Sequence, residues 1–184
     1  MRERNFYFDN AKFILIFLVV IGHVISPYRF NDEWLVTIYH FIYIFHMPAF
    51  ILLAGYFSSN FHKKGYYAKI ITRLVVPYII LQTIYTLYYN GLYANTTFDL
   101  QYFTPRWAMW FLLSMMFWKL LLPIFTKCSW KTNIPIALFI GLAIGFIPIP
   151  DRFLSLDRTF YFFPFFLIGY YLSKTNLFAL IQKG

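Results

Sequence analysis

Residues 12–23 read KFILIFLVVIGH, a stretch in which a lysine and a histidine enclose an uninterrupted run without charged or polar side chains. Eleven residues separate the two, which is about three helical turns, so both side chains project from nearly the same face, roughly 16 Å apart. An ionisable group inside a membrane is costly and marks a candidate functional site. The stretch therefore predicts a membrane-spanning helix with Lys12 at a membrane surface and His23 deep in the bilayer.

The whole chain of 184 residues has the same character, since 60% of it is apolar, 24% aromatic and only 12% charged. A soluble domain averages about 45–50% apolar and 25% charged residues. The apolar residues come in long runs, so the predicted fold class is an all-α, polytopic transmembrane helix bundle. A net charge of +9 is also typical of nucleic-acid binding, but the basic residues lie between apolar runs, where membrane topology explains them. Nucleic acid is therefore excluded as a partner.

Six runs approach the ~17–25 residues that cross a bilayer. They are Asn10–Pro27, Leu35–Phe57, Leu74–Tyr93, Trp107–Phe125, Ile134–Pro148 and Thr159–Ser173. The fifth and sixth are short and are either tilted or partly re-entrant. Arg2 and Arg4 precede the first run as in a secretory signal, but no small-residue cleavage site follows, so we interpret this run as an anchor. The polar stretch from Ser58 to Arg73 is predicted to be a basic loop.

The basic residues are unequally shared between the two sides of such a bundle. Twelve fall on the side of the N-terminus: Arg2, Arg4, Lys12, Lys63, Lys64, Lys69, Arg73, Lys119, Lys127, Lys131, Lys174 and Lys183. Four fall on the other side: Arg29, Arg106, Arg152 and Arg158. The opposite loops instead hold Asp32, Glu33, Asp99, Asp151 and Asp157. The positive-inside rule then predicts a multi-pass protein of the cell membrane with both ends of this segment in the cytoplasm.

Histidines are the candidates for proton transfer. His40 lies near the outer end of the second run and His46 near its middle, about 240° apart around a helix. A neutral histidine in a water-lined cavity can accept a proton from an alcohol, whereas a structural histidine would bond a neighbouring helix. No carboxylate or cysteine completes a metal site with His23, His40 and His46, so no metal is predicted.

Basic side chains at the two ends of the bundle are open to two interpretations. Lys69 and Arg73 are one turn apart and could clamp a phosphate beside Lys12, or they could simply obey the positive-inside rule. Arg158, beside Asp157 at the outer start of the sixth run, could bind a polar acceptor or mark the interface. The sequence contains no Gly-rich phosphate loop, nucleophile elbow or HExxH motif.

Five stretches together resemble signatures of acyltransferase family 3, the integral-membrane acyltransferases that modify carbohydrates. They are DNAKFILIFLVVIGH (9–23), FHMPAFILLAGYF (45–57), RLVVPY (73–78), WAMWFLLSMMFW (107–118) and RTFYFFPFFLIGYYL (158–172). The subgroup that they most resemble includes fucose 4-O-acetylase-like proteins and transferases that acylate secreted polysaccharide. Its first helix usually has an arginine eleven positions before the histidine. Here Lys12 keeps the charge but loses the bidentate geometry.

This resemblance implies transfer of an acyl group, commonly acetyl from acetyl-CoA, to a hydroxyl of an extracytoplasmic carbohydrate. It implies that His23 is essential, as a base or as an acyl carrier, and that Lys12 and Arg73 help to hold the donor, with Lys69 beside them. Arg158 matches a recurring arginine, and His46 and His40 remain candidates for the acceptor side or cavity. No permanently bound cofactor is expected, since acyl-CoA is a substrate.

The resemblance also sets expectations about the whole protein. Family members usually have about ten spans of about 20 residues each, so residues 1–184 are expected either to be the first part of a longer transmembrane domain or to obtain the remaining helices from another chain. Expected partners are membrane lipid, acyl-CoA and the carbohydrate acceptor, and self-association or partners from polysaccharide synthesis are open alternatives. The rival hypothesis is a non-enzymatic carrier or export subunit for glycans or lipids, in which His23 would line a pathway.

Overall fold

Seven α-helices carry the apolar runs in residues 6–30, 32–92 and 101–175, the part of the chain that the computed structural model describes. They are α1 (Phe6–Ile25), α2 (Glu33–Tyr56), α3 (Tyr66–Ile70), α4 (Val76–Leu92), α5 (Met109–Phe125), α6 (Trp130–Ala143) and α7 (Leu156–Leu172). Short 3₁₀ turns follow α1 and α6 and precede α7. The predicted charge distribution also rests on Arg2, Arg4, Asp99 and Lys183, which lie outside the described residues, as does the predicted span end at Tyr93. The predicted all-α class is confirmed.

Three helical segments are long and apolar enough to cross a membrane: Phe6–Tyr28, Glu33–Tyr56 and Tyr66–Leu92. The later predicted spans are helices too, but the apolar segments Met109–Phe125 and Trp130–Phe146 are shorter. The first helix begins one turn before the predicted Asn10, because a helix start tolerates acidic residues such as Asp9 in its first turn.

The predicted basic loop from Ser58 to Arg73 is wrong in its second half. Gly65, with a φ of 79°, turns the chain into α3, and the helix then continues through a π-helical turn at Ile71–Val75 into α4. Pro77 accounts for the irregular turn, because it has no N–H for the carbonyl four residues earlier and its ring displaces that carbonyl. Lys69 and Arg73 therefore project from a helix.

Helix α7 is the centre of the bundle, where it packs against α2, α5 and α6, while α1 packs on α2. The α2–α7 crossing is close because both helices have a glycine there. A Cβ at Gly55 would overlap the carbonyl of Phe166, and one at Gly169 would overlap the carbonyl of Leu52. Fully buried Trp118 of α5 completes the core, and its indole N–H donates to the Thr159 carbonyl at 2.7 Å.

Candidate functional site

A cavity of about 700 Å³ opens between α1, α2, α5 and α7. We call it the His23 cavity. Its titratable lining residues include His23, His46 and Arg158, and its walls are largely aromatic. The aromatic lining residues are Tyr39, Tyr43, Phe50, Trp107, Trp110, Phe111 and Phe162. The volume and the mixture of apolar walls with a few polar groups are typical of a small-molecule site.

His23 projects from the last turn of α1 and is exposed to this cavity. Its ring lies 6.1 Å from the ring of Trp107, at 43° between the planes. Trp107 has a φ of 48°, a left-handed backbone conformation that is uncommon for a bulky residue. The loop before α5 therefore brings an aromatic surface to the imidazole.

His46 enters the same cavity from α2 and is only 3% exposed. Its Nδ1 lies 2.6 Å from the carbonyl oxygen of Ile42, so Nδ1 carries the proton and donates it. In the neutral ring Nε2 is then an acceptor. The ring of Tyr43 packs edge-on against it at 4.8 Å. His46 can thus accept a hydrogen bond within the cavity without a change of tautomer.

The two other candidates for the acceptor side, Arg158 and His40, differ in whether they line the His23 cavity. Arg158 lines the cavity, with its guanidinium carbon 5.1 Å from the ring of Trp110. His40 is exposed and packs edge-on against Tyr39 at 5.7 Å, outside the cavity lining. The structure therefore brings His23, His46 and Arg158 together and leaves His40 apart from them.

A second cavity of about 430 Å³ lies toward the opposite end of α2 and α5, and we call it the basic cavity. Its cationic lining residues are Lys63, Lys69, Arg73 and Lys119. Lys12 reaches this end too, since its Nζ lies 3.8 Å from the ring centre of Phe57, another lining residue. Lys12, Lys69 and Arg73, the candidates for holding a donor, are thus at one end of the bundle.

Sequence reasoning missed Lys63 and Lys119 as members of this site. Both had counted only toward the charge asymmetry between the two sides. The signal for Lys119 was present, because it is the single charged residue within the apolar run MWFLLSMMFWKLLLPIF of α5. For Lys63 there was none, since it lies in a basic loop whose course depends on tertiary packing.

The two cavities follow one another along the same helices. Phe50 of α2 lines the His23 cavity, and Phe57, the residue that follows α2, lines the basic cavity, seven residues or about 10 Å further along the axis. On α5, Phe111 and Met115 line the two cavities one turn apart, about 6 Å. The two cavities are therefore about one to two helical turns apart along these helices.

The loop before α5 is tied to α4 by a residue that sequence reasoning also missed. Gln82 is fully buried, and its Nε2 donates to the carbonyls of Gln101 at 2.7 Å and Thr104 at 3.0 Å. Its Oε1 accepts from the backbone N–H of Arg106 at 3.2 Å. The indole N–H of Trp107 donates to the hydroxyl of Tyr89. A glutamine inside an apolar run was the available signal.

Within the described residues, no group of three or more histidine, cysteine, aspartate or glutamate side chains could hold a metal ion. Two imidazoles and one arginine line the His23 cavity, and three lysines and one arginine line the basic cavity.

A family described as an acyltransferase domain matches the chain over residues 5–182. The chain belongs to acyltransferase family 3. Members of this family are membrane enzymes that transfer acyl groups, and the resemblance stated from the sequence is confirmed.

Two curated relatives of this acyltransferase-family chain are rhizobial. The nodulation protein NolL of Sinorhizobium fredii (strain NBRC 101917 / NGR234) is 28% identical, over 94% of the chain and 50% of the relative. NolL of Mesorhizobium japonicum (strain LMG 29417 / CECT 9101 / MAFF 303099) is 30% identical, over 94% of the chain and 48% of the relative. The chain spans about half the length of these relatives. No solved structure matches it significantly.

Proposed function

We propose that the protein is a membrane O-acyltransferase that moves an acyl group, acetyl foremost, from acyl-CoA to a hydroxyl of an extracytoplasmic carbohydrate. The observation that carries this proposal is the succession of a cationic cavity and a histidine cavity along α2 and α5. A polyanionic donor with a long neutral arm needs both, because its phosphates and its thioester are far apart. Family membership supplies the class of reaction.

The donor side of the proposal rests on charge. The phosphates of acyl-CoA would bind at the basic cavity, with Lys12, Lys69 and Arg73 as the first candidates, through charge-assisted hydrogen bonds. The excess of basic residues at this end favours the cytoplasm, where acyl-CoA is made. The arm that carries the thioester would then run along α2 toward His23.

The acceptor side rests on shape and surface. A carbohydrate ring has an apolar face, and the walls of the His23 cavity are largely aromatic. Its hydroxyls need hydrogen-bond partners, which Nε2 of His46 and the guanidinium of Arg158 can supply. This cavity lies at the end away from Lys12 and the basic cavity, consistent with an acceptor outside the cytoplasm.

The chemistry centres on His23. Its neutral imidazole would take the proton of the acceptor hydroxyl as the oxygen forms a bond to the thioester carbonyl. The carbon–sulfur bond then breaks, and the imidazolium returns the proton to the thiolate of CoA. In the covalent variant the imidazole itself would bond to the acyl carbon as the carbon–sulfur bond breaks and CoA leaves as the thiolate. The acceptor hydroxyl would then displace the imidazole, and its proton would pass to the thiolate. Alignment of both substrates within adjoining cavities supplies much of the acceleration.

The test is transfer from acetyl-CoA labelled in the acetyl group, with the full-length protein in proteoliposomes and an extract of membrane-associated glycans outside. We expect His23→Ala to lower kcat by about 10²–10⁴, the usual contribution of a general base. His40→Ala is the matched control, because this ring lies outside the cavity. Full transfer by His23→Ala would remove His23 from the mechanism. Glycan export without acyl transfer by the parent protein would favour the non-enzymatic carrier.

A further inference from the structure

Lys119 is a charged residue inside the apolar helix α5. It follows fully buried Trp118 and lines the basic cavity, half-buried, one turn after Met115. Ionisable groups within membrane spans are rare and usually face a pathway or a binding site. Its position therefore needs an explanation beyond the charge asymmetry of the loops.

The hydrogen bonds of Lys119 leave much of its ammonium group unused. Its Nζ donates to the hydroxyl of Ser58 at 3.1 Å, and that hydroxyl in turn donates to the carbonyl of Ala54 at 2.7 Å. The ring of Tyr66 lies 6.0 Å from Nζ. An ammonium has three N–H donors, so two have no protein acceptor among the described residues. Ser58 fixes the direction of Nζ without neutralising it.

The charges around Lys119 have the same sign. Arg73, Lys69 and Lys63 line the same cavity, and none of its lining residues is acidic. Like charges gathered in a partly buried site repel one another, and a bound anion with several negative charges would relieve this repulsion. The cavity is thus suited to a polyphosphate, and a single carboxylate would leave most of the cations uncompensated.

We propose that Lys119, oriented by Ser58, binds the 5′-diphosphate of the acyl-CoA donor, while the exposed Lys63 and Lys69 bind its 3′-phosphate. This assignment rests on the proposed function, since it divides the donor's phosphates among the cations. The division follows from how deep each lysine lies in the bundle, since Lys119 is half-buried whereas Lys63 and Lys69 are exposed. Lys119 lies eight residues, about 12 Å along α5, from Phe111 of the His23 cavity. The diphosphate joins the arm that carries the thioester, so it must lie deeper than the 3′-phosphate.

The experiment measures binding of CoA, 3′-dephospho-CoA and pantetheine to the full-length protein in nanodiscs of neutral lipid, by calorimetry. We expect Lys119→Met to raise the Kd for CoA and for 3′-dephospho-CoA by roughly 10- to 100-fold each, the usual effect of losing a charged hydrogen bond. Pantetheine, which lacks both phosphate groups, should bind the variant and the parent alike. Lys119→Arg keeps the charge and should recover most of the affinity for CoA.

A matched control is Lys127→Met, because Lys127 is an exposed lysine just beyond the same end of α5 and lines neither cavity. It should leave all three Kd values unchanged, and thermal unfolding of each variant establishes that it is folded. If Lys119→Met and the parent bind CoA with equal affinity, the assignment of Lys119 to the diphosphate is wrong. The proposed acyl transfer from acyl-CoA is not affected by that result. Loss of affinity for CoA but not for 3′-dephospho-CoA would overturn it by placing Lys119 at the 3′-phosphate.

Two further outcomes distinguish failure of the proposed function, and binding of a lipid headgroup, from failure of the Lys119 assignment alone. A parent protein that neither binds CoA nor transfers acetyl would remove the proposed function and this assignment together. An anionic lipid headgroup offers the same phosphate chemistry as CoA. If phosphatidylglycerol in the nanodisc competes with CoA in the parent but not in Lys119→Met, and CoA affinity in neutral lipid is unaffected by the substitution, the lysine binds lipid and the assignment is wrong.

Discussion

Gln82 is predicted to hold the loop that places Trp107 beside His23, and Gln82→Leu tests this directly. The substitution keeps the size of the side chain and removes three hydrogen bonds, two donated to carbonyls of Gln101 and Thr104 and one accepted from the N–H of Arg106. Gln82 is fully buried, so water cannot replace these partners without movement of the loop. The loop should therefore open more often.

The magnitude follows from the number of bonds. A net contribution of about 0.5–1.5 kcal/mol for each of the three gives about 1.5–4.5 kcal/mol for the closed loop. Since about 1.4 kcal/mol is a factor of ten, the open population should rise roughly 10- to 1,000-fold. Acyl transfer should fall as well, because Trp107 would no longer be held 6.1 Å from the ring of His23.

The assay is cleavage by trypsin after Arg106, with the peptide ends identified by mass spectrometry. When opening is fast relative to cleavage, the cleavage rate follows the population of the open loop. Thr37→Val is the matched control, because this exposed hydroxyl donates only to the Glu33 carbonyl of its own helix, at 2.9 Å. Unchanged cleavage and unchanged acyl transfer in Gln82→Leu would show that Gln82 does not hold the loop in place.

Two other predictions concern the packing of the bundle. Gly55→Ala and Gly169→Ala should each lower the unfolding temperature sharply or prevent folding, at a cost of about 1–3 kcal/mol or more, because the new Cβ would meet a carbonyl of the facing helix. Gly91→Ala is the control, because no atom of the described residues lies within 4 Å of the added methyl, and an equal shift for all three would contradict the close crossing. Ser114→Ala should cost about 0.5–1.5 kcal/mol, because it removes the buried 2.7 Å hydrogen bond to the Thr159 hydroxyl. Denaturant unfolding in detergent measures it, and a variant as stable as the parent would show that the pair contributes nothing.

Much of the fold was predictable because a membrane-spanning helix can be recognised from the apolar run of its own sequence. A bilayer supplies no hydrogen bonds, so an apolar run must satisfy its own backbone as a helix, and the runs from Asn10 and from Leu35 predicted α1 and α2 without any knowledge of packing. The start of α3 was missed because Tyr66–Arg73 is polar enough to read as a loop. Its helical state depends on the continuous helix that follows it, and a count of apolar residues within this short segment does not include that helix.

The candidate site was predictable only in part. Lys12 and His23 were identified because an ionisable residue in or beside an apolar run can be recognised from the linear sequence. Gln82 and Lys119 were equally conspicuous as polar residues in apolar runs, yet their roles depend on partners 19 to 61 residues away. No spacing within a single helix indicates such a partner.

The amino-acid sequence alone predicted an all-α membrane protein with a cation and a histidine three turns apart on the first helix, because composition and short-range periodicity reflect what a helix imposes on neighbouring residues. The family came from the resemblance of five stretches to its signatures. Tertiary packing places His46 and Arg158 in one cavity with His23, leaves His40 outside its lining, and brings Lys119 together with Lys69 and Arg73. The sequence could not indicate these neighbours, because packing sets the rotation of each helix about its axis, above all at the Gly55 and Gly169 crossing of α2 and α7.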